Sequence, residues 1–324
     1  MTRMDLTPWL HRPFLDDDFP LPLDAPFTTR TAAQNGISRR DLAELVKAGL
    51  LRHPIRNCYV SAELPDDIAT RCACLKLVVP PDAILVDRHA GWLQGAEMLL
   101  LPGEHLNALP ITMDLPSGRG RLRNKLVDGG QRFLLPRDIT EIHGLRVTTP
   151  LRTALDLGRQ RWPESAITAL DALHRLDAFS VEELLGEIDR FKKMRWVTTL
   201  RLVAPHTDGR SQSGGESVIR WRWKQMEVPV PEPQVEVRSG ARVAFVDVGN
   251  GEIRAGMEYD GEEWHSEPEA RENDAVRRKW LDHDEDWVIE PLVCADVYGA
   301  QQRVEEAIFS VISEAVRRTR RRSR

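Results

Sequence analysis

The chain has 324 residues, 41% of them hydrophobic and 29% charged, with a mean hydropathy of -0.39 and a net charge of -5 at neutral pH. This length predicts about two or three domains, each with a core of its own, and excludes a miniprotein. No apolar run approaches the roughly 18 residues that a transmembrane helix needs, and the start lacks the apolar stretch of a signal peptide, so we expect a soluble, cytoplasmic protein.

Arginine outnumbers lysine several-fold among the 45 basic residues. Guanidinium groups suit phosphate recognition, and a GC-rich genome produces the same bias, so both explanations stay open. The four cysteines form no CxxC pair, which argues against a zinc ribbon or a disulfide framework and favours reduced thiols. At the two ends, residues 1–23 predict an irregular arm, and the arginine run at 317–324 predicts a disordered basic tail.

Residues 24–62 predict two short helices followed by a hairpin. The first helix is capped by Thr28 and ended by Gly36, and the second is capped by Ser38 and ended by Gly49. Two extended runs around a turn come next. This order is that of a winged helix, whose second helix can enter the major groove of DNA.

The second of these helices offers candidate DNA-binding residues. Its apolar residues share one face, so its basic residues point elsewhere. They are Arg39, Arg40 and Lys47. A module that only packs against another domain would show the same pattern, and this alternative stays open.

Residues 65–205 predict a mainly helical middle domain, with a helix near 87–98 and extended pieces at 110–115 and 131–135. Apolar residues recur at spacings of three and four in three segments, TPLRTALDLGRQ, ESAITALDALHRL and VEELLGEIDRF. We expect this domain to be a scaffold. The stretch PHTDGRSQSGG, at 205–215, is rich in Gly, Ser and Asp and predicts a linker.

Residues 211–316 predict an α/β domain. The pattern indicates a helix, three strands, a helix, a strand and a final helix, in the segments SGGESVIRWRWKQM, QVEVRS, RVAFVDV, IRAGMEYD, PEARENDAVRRKWL, WVIEPLV and VEEAIFSVISEAVRR. Strands in a run with helices outside predict a mixed sheet and exclude a doubly wound nucleotide fold. The chain as a whole is therefore expected to be an α+β multidomain protein.

Acidic residues gather on these strands. Glu258 and Asp260 are two positions apart in IRAGMEYD, so their side chains share one face. Asp247 ends the preceding apolar strand, and His265 follows the later one. Carboxylates collected in this way are ligands for a hard divalent cation such as Mg²⁺ or Mn²⁺, which can activate water and neutralise a phosphodiester.

The segments ESVIRWRW, FVDVGNGEIRAGMEYDGEEWH and NDAVRRKWL resemble the very-short-patch-repair-type branch of the restriction-endonuclease-like, or PD-(D/E)XK, superfamily in actinobacterial proteins. The resemblance covers about residues 211–300. It implies a metal-dependent nuclease fold. The matching positions are Glu216, Asp247, Glu258, Asp260, His265, Asp274 and Arg277. The superfamily usually has Lys two residues after the second carboxylate, where this chain has Asp260.

Upstream, TTRTAAQNGISRRDLAELVKAGLLRHPIRNCY resembles the N-terminal winged helix of AbiEi-type antitoxins, and PLRTALDLGR resembles the region that follows it there. Such wings commonly have Gly before the aromatic residue. Here Asn57 and Cys58 stand at that place. Because Asn tolerates positive φ next best after Gly, we expect the wing to be kept.

The leading hypothesis is a DNA-directed, Mg²⁺-dependent phosphodiesterase, in phage defence or DNA repair. Asp247 and Glu258 would hold the metal, Glu216 would orient it or a water, and Asp260 or His265 would act on the nucleophile. From the following helix, Arg277 would neutralise phosphate, with Arg278 beside it as a further DNA contact; Asp274 and Arg277 can also simply pair, being three residues apart on a helix.

Two other functions are kept. One is a non-enzymatic DNA-binding regulator with a degenerate nuclease domain and a toxin partner, which resembles the AbiEi-type antitoxins. The other is a metal-dependent hydrolase of a small phosphorylated substrate. No small-molecule cofactor and no membrane partner are expected.

Structural explanations stay open for the same residues. Glu216 lies three residues after Ser213, which is a capping-box pattern. Asp247 precedes Gly and Asn and can begin a turn. Glu258 can be solvated on an open sheet face, and His265 can be purely structural.

Strand register decides whether the metal site can form. A two-residue turn at 250–251 would place Asp247 opposite Arg254 and leave Glu258 roughly 13 Å along the strand. A wider loop centred on 252–253 places Asp247 opposite Glu258, with Cβ atoms about 5 Å apart. We predict the wider loop, because only that register gives the acidic residues a reason to be adjacent.

Overall fold

The computed structural model describes residues 5–98, 109–115, 127–261 and 268–322. The chain divides into two compact units, one of Met1–Ala96 with Gly103–Thr153 and the other of Glu97–Pro102 with Ala154–Arg324. Both combine helices with sheets, so the expected mixed α and β class with more than one domain is confirmed at this level. No helix of the described part is long and apolar enough to cross a membrane.

The first unit contains short helices and short strands. In chain order they are α1 (Thr7–Leu10), β1 (Phe27–Thr28), α2 (Thr29–Gln34), α3 (Arg39–Lys47), β2 (Leu51–Ile55), β3 (Cys58–Ser61), α4 (Ile68–Lys76), β4 (Ile84–Leu85), α5 (Asp87–Leu93), β5 (Ile111–Asp114), β6 (Val127–Gly130), β7 (Ile139–Ile142) and β8 (Leu145–Thr148). Helix α6 (Pro150–Leu157) runs across the division between the units.

Helices α2 and α3 and a sheet of order β1-β3-β2 form the start of the first unit. Thr28 caps α2 through the backbone N–H of Thr31, and Ser38 caps α3 in a capping box with Asp41. Asn57, between β2 and β3, has φ of 67°, so the hairpin is kept in the way expected for Asn in place of Gly.

The N-terminal arm packs into the core of these helices. It is irregular apart from α1, as the sequence indicates, but its apolar side chains are buried together with Leu42 and Leu45 of α3. The buried residues of the arm are Leu6, Trp9, Leu15, Phe19 and Leu21. The arm therefore contributes to the core of the first unit.

A sheet of order β6-β5-β4-β8-β7 forms the rest of this unit, with α4 and α5 packed on it. All four cysteines of the chain are free thiols, and three of them, Cys58, Cys72 and Cys74, lie in this core. The extended piece expected at 110–115 corresponds to β5, the one expected at 131–135 is not a strand, and the sequence indicated none of the other strands of this sheet. Its strands have four residues or fewer, too short for apolar alternation to identify.

The second unit contains longer elements. They are α7 (Pro163–His174), α8 (Val181–Glu187), α9 (Val197–Val203), α10 (Gly214–Lys224), β9 (Glu232–Ser239), β10 (Arg242–Asn250), β11 (Ala255–Asp260), α11 (Pro268–His283), β12 (Val288–Val293), α12 (Cys294–Tyr298) and α13 (Val304–Arg322). The sheet order is β12-β11-β10-β9, and β11 and β12 are parallel while the other neighbours are antiparallel. The mixed sheet is therefore confirmed.

Two apolar cores surround this sheet. One contains Trp223 of α10, Met257 of β11 and Val311 of α13. The other contains Trp280 of α11 and Val246 of β10. The sheet is thus covered by α10 and α13 in one core and by α11 in the other.

The division between the units falls within the range 65–205, which the sequence groups as one middle domain. A buried ion pair holds α7 within the second unit. Asp171 of α7 and Arg220 of α10 are both inaccessible to solvent and lie 2.6 Å apart. Helix α7 is therefore tied to α10, the helix that precedes the sheet of the second unit.

Two expectations about irregular segments are wrong. The stretch 205–215 is no solvated linker, because Ser211 is fully buried and Arg220 donates to its hydroxyl and to the carbonyl of His206. The basic tail is helical through Arg322, the C-terminal end of α13. Arg318 in this tail pairs with acidic side chains of α11 and of α13 itself.

Candidate functional site

The loop between β10 and β11 sets the register on which the site depends. The ladder pairs are Val248 with Met257, Gly249 with Gly256, and Asn250 with Ala255. The side chain of Asn250 accepts hydrogen bonds from the backbone N–H groups of Glu252 and Ile253, at 3.1 Å each. These bonds stabilise the wider loop, and the prediction of that register is confirmed.

One position beyond the ladder, Asp247 stands opposite Glu258. The backbone pairs end at Val248 and Met257, although both strands continue. The carboxylate of Asp247 accepts a hydrogen bond of 2.9 Å from the backbone N–H of Tyr259. The Asp247 side chain thus satisfies a backbone donor of β11 just beyond the last ladder pair, and this bond fixes Asp247 beside β11.

Gln234 of β9 joins Asp247 to Glu216 at the start of α10. Its Nε2 lies 3.0 Å from Oε2 of Glu216 and 3.4 Å from Oδ1 of Asp247. Two carboxylates within hydrogen-bond distance of one nitrogen must be close to each other. Sequence reasoning missed Gln234. The signal in the sequence was that Gln234, an uncharged amide, begins the alternating segment QVEVRS of the domain's first strand.

Glu216 has a structural role as well as a place in the site. Ser213 caps α10 by accepting a hydrogen bond of 3.2 Å from the backbone N–H of Glu216. The carboxylate of Glu216 accepts from the backbone N–H of Gln212, at 2.8 Å. Helix α10 therefore begins with this carboxylate held over the sheet.

Gly215 allows α10 to approach the sheet closely. A Cβ atom at this position would lie 2.4 Å from the ring of Tyr259 on β11, so a larger residue would push the helix away. Since Glu216 is the next residue, the Gly-Gly pair in the sequence brings this carboxylate within reach of β9 and β10.

Two arginines of α11 hold the second pair of carboxylates. Glu258 is only 2% exposed, and its two oxygens lie 2.8 Å from Arg277 and 2.9 Å from Arg278. Arg278 also contacts the exposed Asp260, at 2.8 Å. Arg277 donates in addition to the carbonyl of Phe245 on β10, at a position that pairs with β9 and lies beyond the last pair with β11. Arg277 therefore contacts both β10 and β11.

The charges of the site are unevenly balanced. Burial raises the pKa of Asp247, and the nearby charge of Glu216 raises it further. Arg277 and the hydrogen bond from Tyr259 act in the opposite direction. Burial lowers the pKa of Arg278, but the hydrogen bonds to Asp260 and Glu258 outweigh this effect and the net shift is upward. The described cluster has four carboxylates, Glu216, Asp247, Glu258 and Asp260, for the two arginines of α11, and these arginines pair with Glu258 and Asp260.

This donor set fits a hard divalent cation in part. Asp247 and Glu216 supply carboxylate oxygens with unfavourable mutual repulsion, and a cation relieves such repulsion. Glu258, opposite Asp247, can add a third oxygen only by releasing an arginine. In keeping with this, no group of three His, Cys, Asp or Glu side chains ready to hold a metal occurs in the described part of the chain.

The remaining candidates lie elsewhere. His265 is outside the described residues, and so is the side chain of Asp274. Arg39, Arg40 and Lys47 of α3 are exposed, with Arg40 in an ion pair of 3.2 Å with Glu44. Their exposure agrees with the expectation that these side chains point away from the apolar face of the helix.

No family model matches the chain. Two uncharacterized proteins of Mycobacterium tuberculosis, MT2308 of strain CDC 1551 and Rv2248 of strain H37Rv, are each 29% identical to it over 179 residues. The matched part is 55% of this chain, and the chain spans 65% of the length of these relatives.

Among solved structures, the RV2827C protein from Mycobacterium tuberculosis is 14% identical, with a TM-score of 0.29 over 66% of this chain and 84% of that one. This similarity assigns no fold. The resemblance to very-short-patch-repair-type nucleases and to AbiEi-type antitoxins stays a prediction.

Proposed function

We propose that this protein is a DNA-directed, divalent-metal-dependent phosphodiesterase. The observation that carries the proposal is the strand register, because it sets Asp247 opposite Glu258 at the point where β10 and β11 separate. Glu216 reaches the same point through Gln234. Carboxylates from three separate elements thus lie near the end of the backbone ladder, two of them joined by Gln234 and the third held by the arginines of α11.

Each residue has a role that follows from its place. Asp247 and Glu258 would hold the cation, and Glu216 would orient it or a bound water through Gln234. The cation, when bound, supplies activation of water and neutralisation of the phosphodiester. Arg277 and Arg278 extend from α11 beside these carboxylates and provide positive charge for the DNA backbone.

The first unit would place the chain on DNA. Two capped helices and a sheet of order β1-β3-β2 have the element order of a winged helix, and the exposed basic residues of α3 lie on its open face. This arrangement supports a role of α3 in the major groove.

The role of α3 is tested by changing Arg39 and Arg40 together to Ala. We expect weaker binding to duplex DNA and a smaller slope of log affinity against log salt, by roughly 2 for two lost phosphate contacts. Fluorescence anisotropy at several salt concentrations measures both quantities. An unchanged slope would remove α3 from the DNA interface.

The nuclease proposal is tested with supercoiled plasmid and the purified full-length protein in Mg²⁺, in Mn²⁺ and in EDTA. We expect metal-dependent nicking by the wild type. Asp247→Asn and Glu258→Gln should each lower the rate by at least about 100-fold. Asp282→Asn, a change of a half-buried carboxylate of α11 that pairs with Arg318 outside the site, is the control and should leave the rate unchanged.

A non-enzymatic DNA-binding regulator is the second candidate, and one observation favours it. The position that usually carries Lys is Asp260, and the arginines already compensate Glu258 and Asp260 without a metal. This function predicts that the wild type shifts DNA in a gel but nicks it in neither Mg²⁺ nor Mn²⁺. Equal nicking by wild type, Asp247→Asn and Glu258→Gln would remove these residues from any mechanism.

A further inference from the structure

Arg278 lies between two carboxylates of different character. Its Nε is 2.9 Å from the buried Glu258, and its Nη2 is 2.8 Å from the exposed Asp260. A buried carboxylate needs a counter-ion, because removal of its partner leaves an uncompensated charge in a poorly solvated place. An exposed carboxylate such as Asp260 needs none, since water screens it. Of the two contacts of Arg278, only the one with Glu258 is therefore needed to neutralise a buried charge.

The geometry makes Asp260 an anchor for this guanidinium. Glu258 and Asp260 follow each other on one face of β11, and the guanidinium spans both. Arginine carries five N–H donors in a rigid fork, so it can keep one carboxylate while it turns other donors to a second acceptor. Glu258 also has Arg277 as a second counter-ion, at 2.8 Å.

We propose that Arg278 is the fixed cation of this site, with Asp260 as its anchor and Glu258 as the carboxylate that it shares with a divalent cation. Without metal, Arg278 neutralises Glu258. With a cation on Glu258, Arg278 would stay on Asp260 and would offer its other donors to a DNA phosphate. The inference rests on the proposed nuclease function, and it explains an acidic residue at a position where a basic one is usual.

The first test is plasmid nicking by Arg278→Gln, Arg278→Lys and the double change Asp260→Lys with Arg278→Gln. We expect Arg278→Gln to lower the nicking rate about 100-fold and Arg278→Lys to keep most of the wild-type rate. The double variant should recover activity, because Asp260→Lys supplies on β11 the positive charge that Arg278→Gln removes. Arg318→Gln is the matched control. Arg318 is 30% exposed against 34% for Arg278, and it also pairs with carboxylates, but with Asp282, Asp286 and Glu314 away from the site.

The second test does not depend on nicking. Mn²⁺ affinity is measured by electron paramagnetic resonance for the wild type, Arg278→Gln and Arg318→Gln. Because Arg278 competes for Glu258, its loss should tighten Mn²⁺ binding several-fold, while the Arg318 control should bind as the wild type does.

The outcomes separate the inference from the proposed function. Nicking by the wild type with an equal rate for Arg278→Gln overturns the role of Arg278 and leaves the nuclease. If the wild type does not nick, the nuclease proposal fails, and Mn²⁺ affinity decides: tighter binding by Arg278→Gln supports the shared carboxylate, and equal or absent binding overturns it.

Discussion

The second unit contains two clusters of arginine and carboxylate with opposite surroundings. In the first, Asp171 and Arg220 are both fully buried, and Arg220 also donates to Ser211 and to the carbonyl of His206. In the second, Glu258 is buried but Arg278 is 34% exposed. The first cluster has one carboxylate for one arginine. The second has four carboxylates, Glu216, Asp247, Glu258 and Asp260, for two arginines, Arg277 and Arg278.

This difference separates a structural cluster from a candidate site. The pair of Asp171 and Arg220 is closed to water and its hydrogen bonds are directed inward, so no ligand can reach it. The cluster around Glu258 lies just beyond the last pair of β10 with β11, has partly exposed cations, and contains four carboxylates for its two arginines. Unequal charge together with access to solvent indicates a ligand more strongly than the presence of charged residues alone.

The largest expected effect concerns the closed pair. Arg220→Met leaves Asp171 buried without its partner, and we expect the free energy of unfolding to fall by about 3–5 kcal/mol. Urea denaturation at neutral pH measures it. Burial raises the pKa of Asp171. As the pH falls, this carboxylate therefore takes up a proton in the folded variant, and the loss in free energy of unfolding relative to the wild type should become smaller.

A double variant tests the same pair more sharply. Asp171→Leu with Arg220→Met removes both charges and should recover most of the lost stability. A double variant as unstable as Arg220→Met would show that the hydrogen bonds to Ser211 and His206, and not the charge, carry the effect.

A smaller effect of opposite sign is expected for Asp247→Asn. The folded-state pKa of Asp247 is raised by burial and by Glu216, so above that pKa its charge costs stability. We expect the melting temperature of the metal-free protein to rise by roughly 2 °C at pH 7. The gain should disappear as the pH falls through the raised pKa toward the unfolded value. A lower melting temperature at pH 7 would contradict the assignment of excess negative charge.

The smallest effect is expected for Arg318→Gln on α13. Its partners Asp282 and Glu314, and Asp286 at 3.8 Å, are partly solvated, and such pairs contribute about 0.5 kcal/mol or less each. Urea denaturation should show a change within about that value. A loss near that of Arg220→Met would mean that the tail of α13 is a main support of the second unit.

Helix caps and apolar alternation predicted the helices and strands of both units wherever these sequence signals were strong. Caps at Thr28 and Ser38 and the alternating strands of the last domain could be identified directly. The stretch 205–215 was misjudged because its composition is that of a solvated loop, whereas Arg220, a residue outside it, buries it by hydrogen bonding. Composition cannot show such a distant partner.

The sequence could predict those features of the candidate site that depend only on strand geometry. Glu258 and Asp260 share a face by period alone, and the position of Asp247 followed from the choice of register. The contacts of Arg278 and the bridge made by Gln234 could not be predicted, because they join elements far apart in the chain. These contacts decide how the acidic residues are compensated.

The central claim is that Asp247 and Glu258 meet to hold a divalent cation. Titration calorimetry of the metal-free, full-length protein with Mn²⁺ tests it most directly, with Asp247→Asn and the control Asp282→Asn measured alongside. We expect one Mn²⁺ per chain for the wild type and the control, and none for Asp247→Asn. Absence of Mn²⁺ binding by the wild type, or equal binding by Asp247→Asn, would contradict the account.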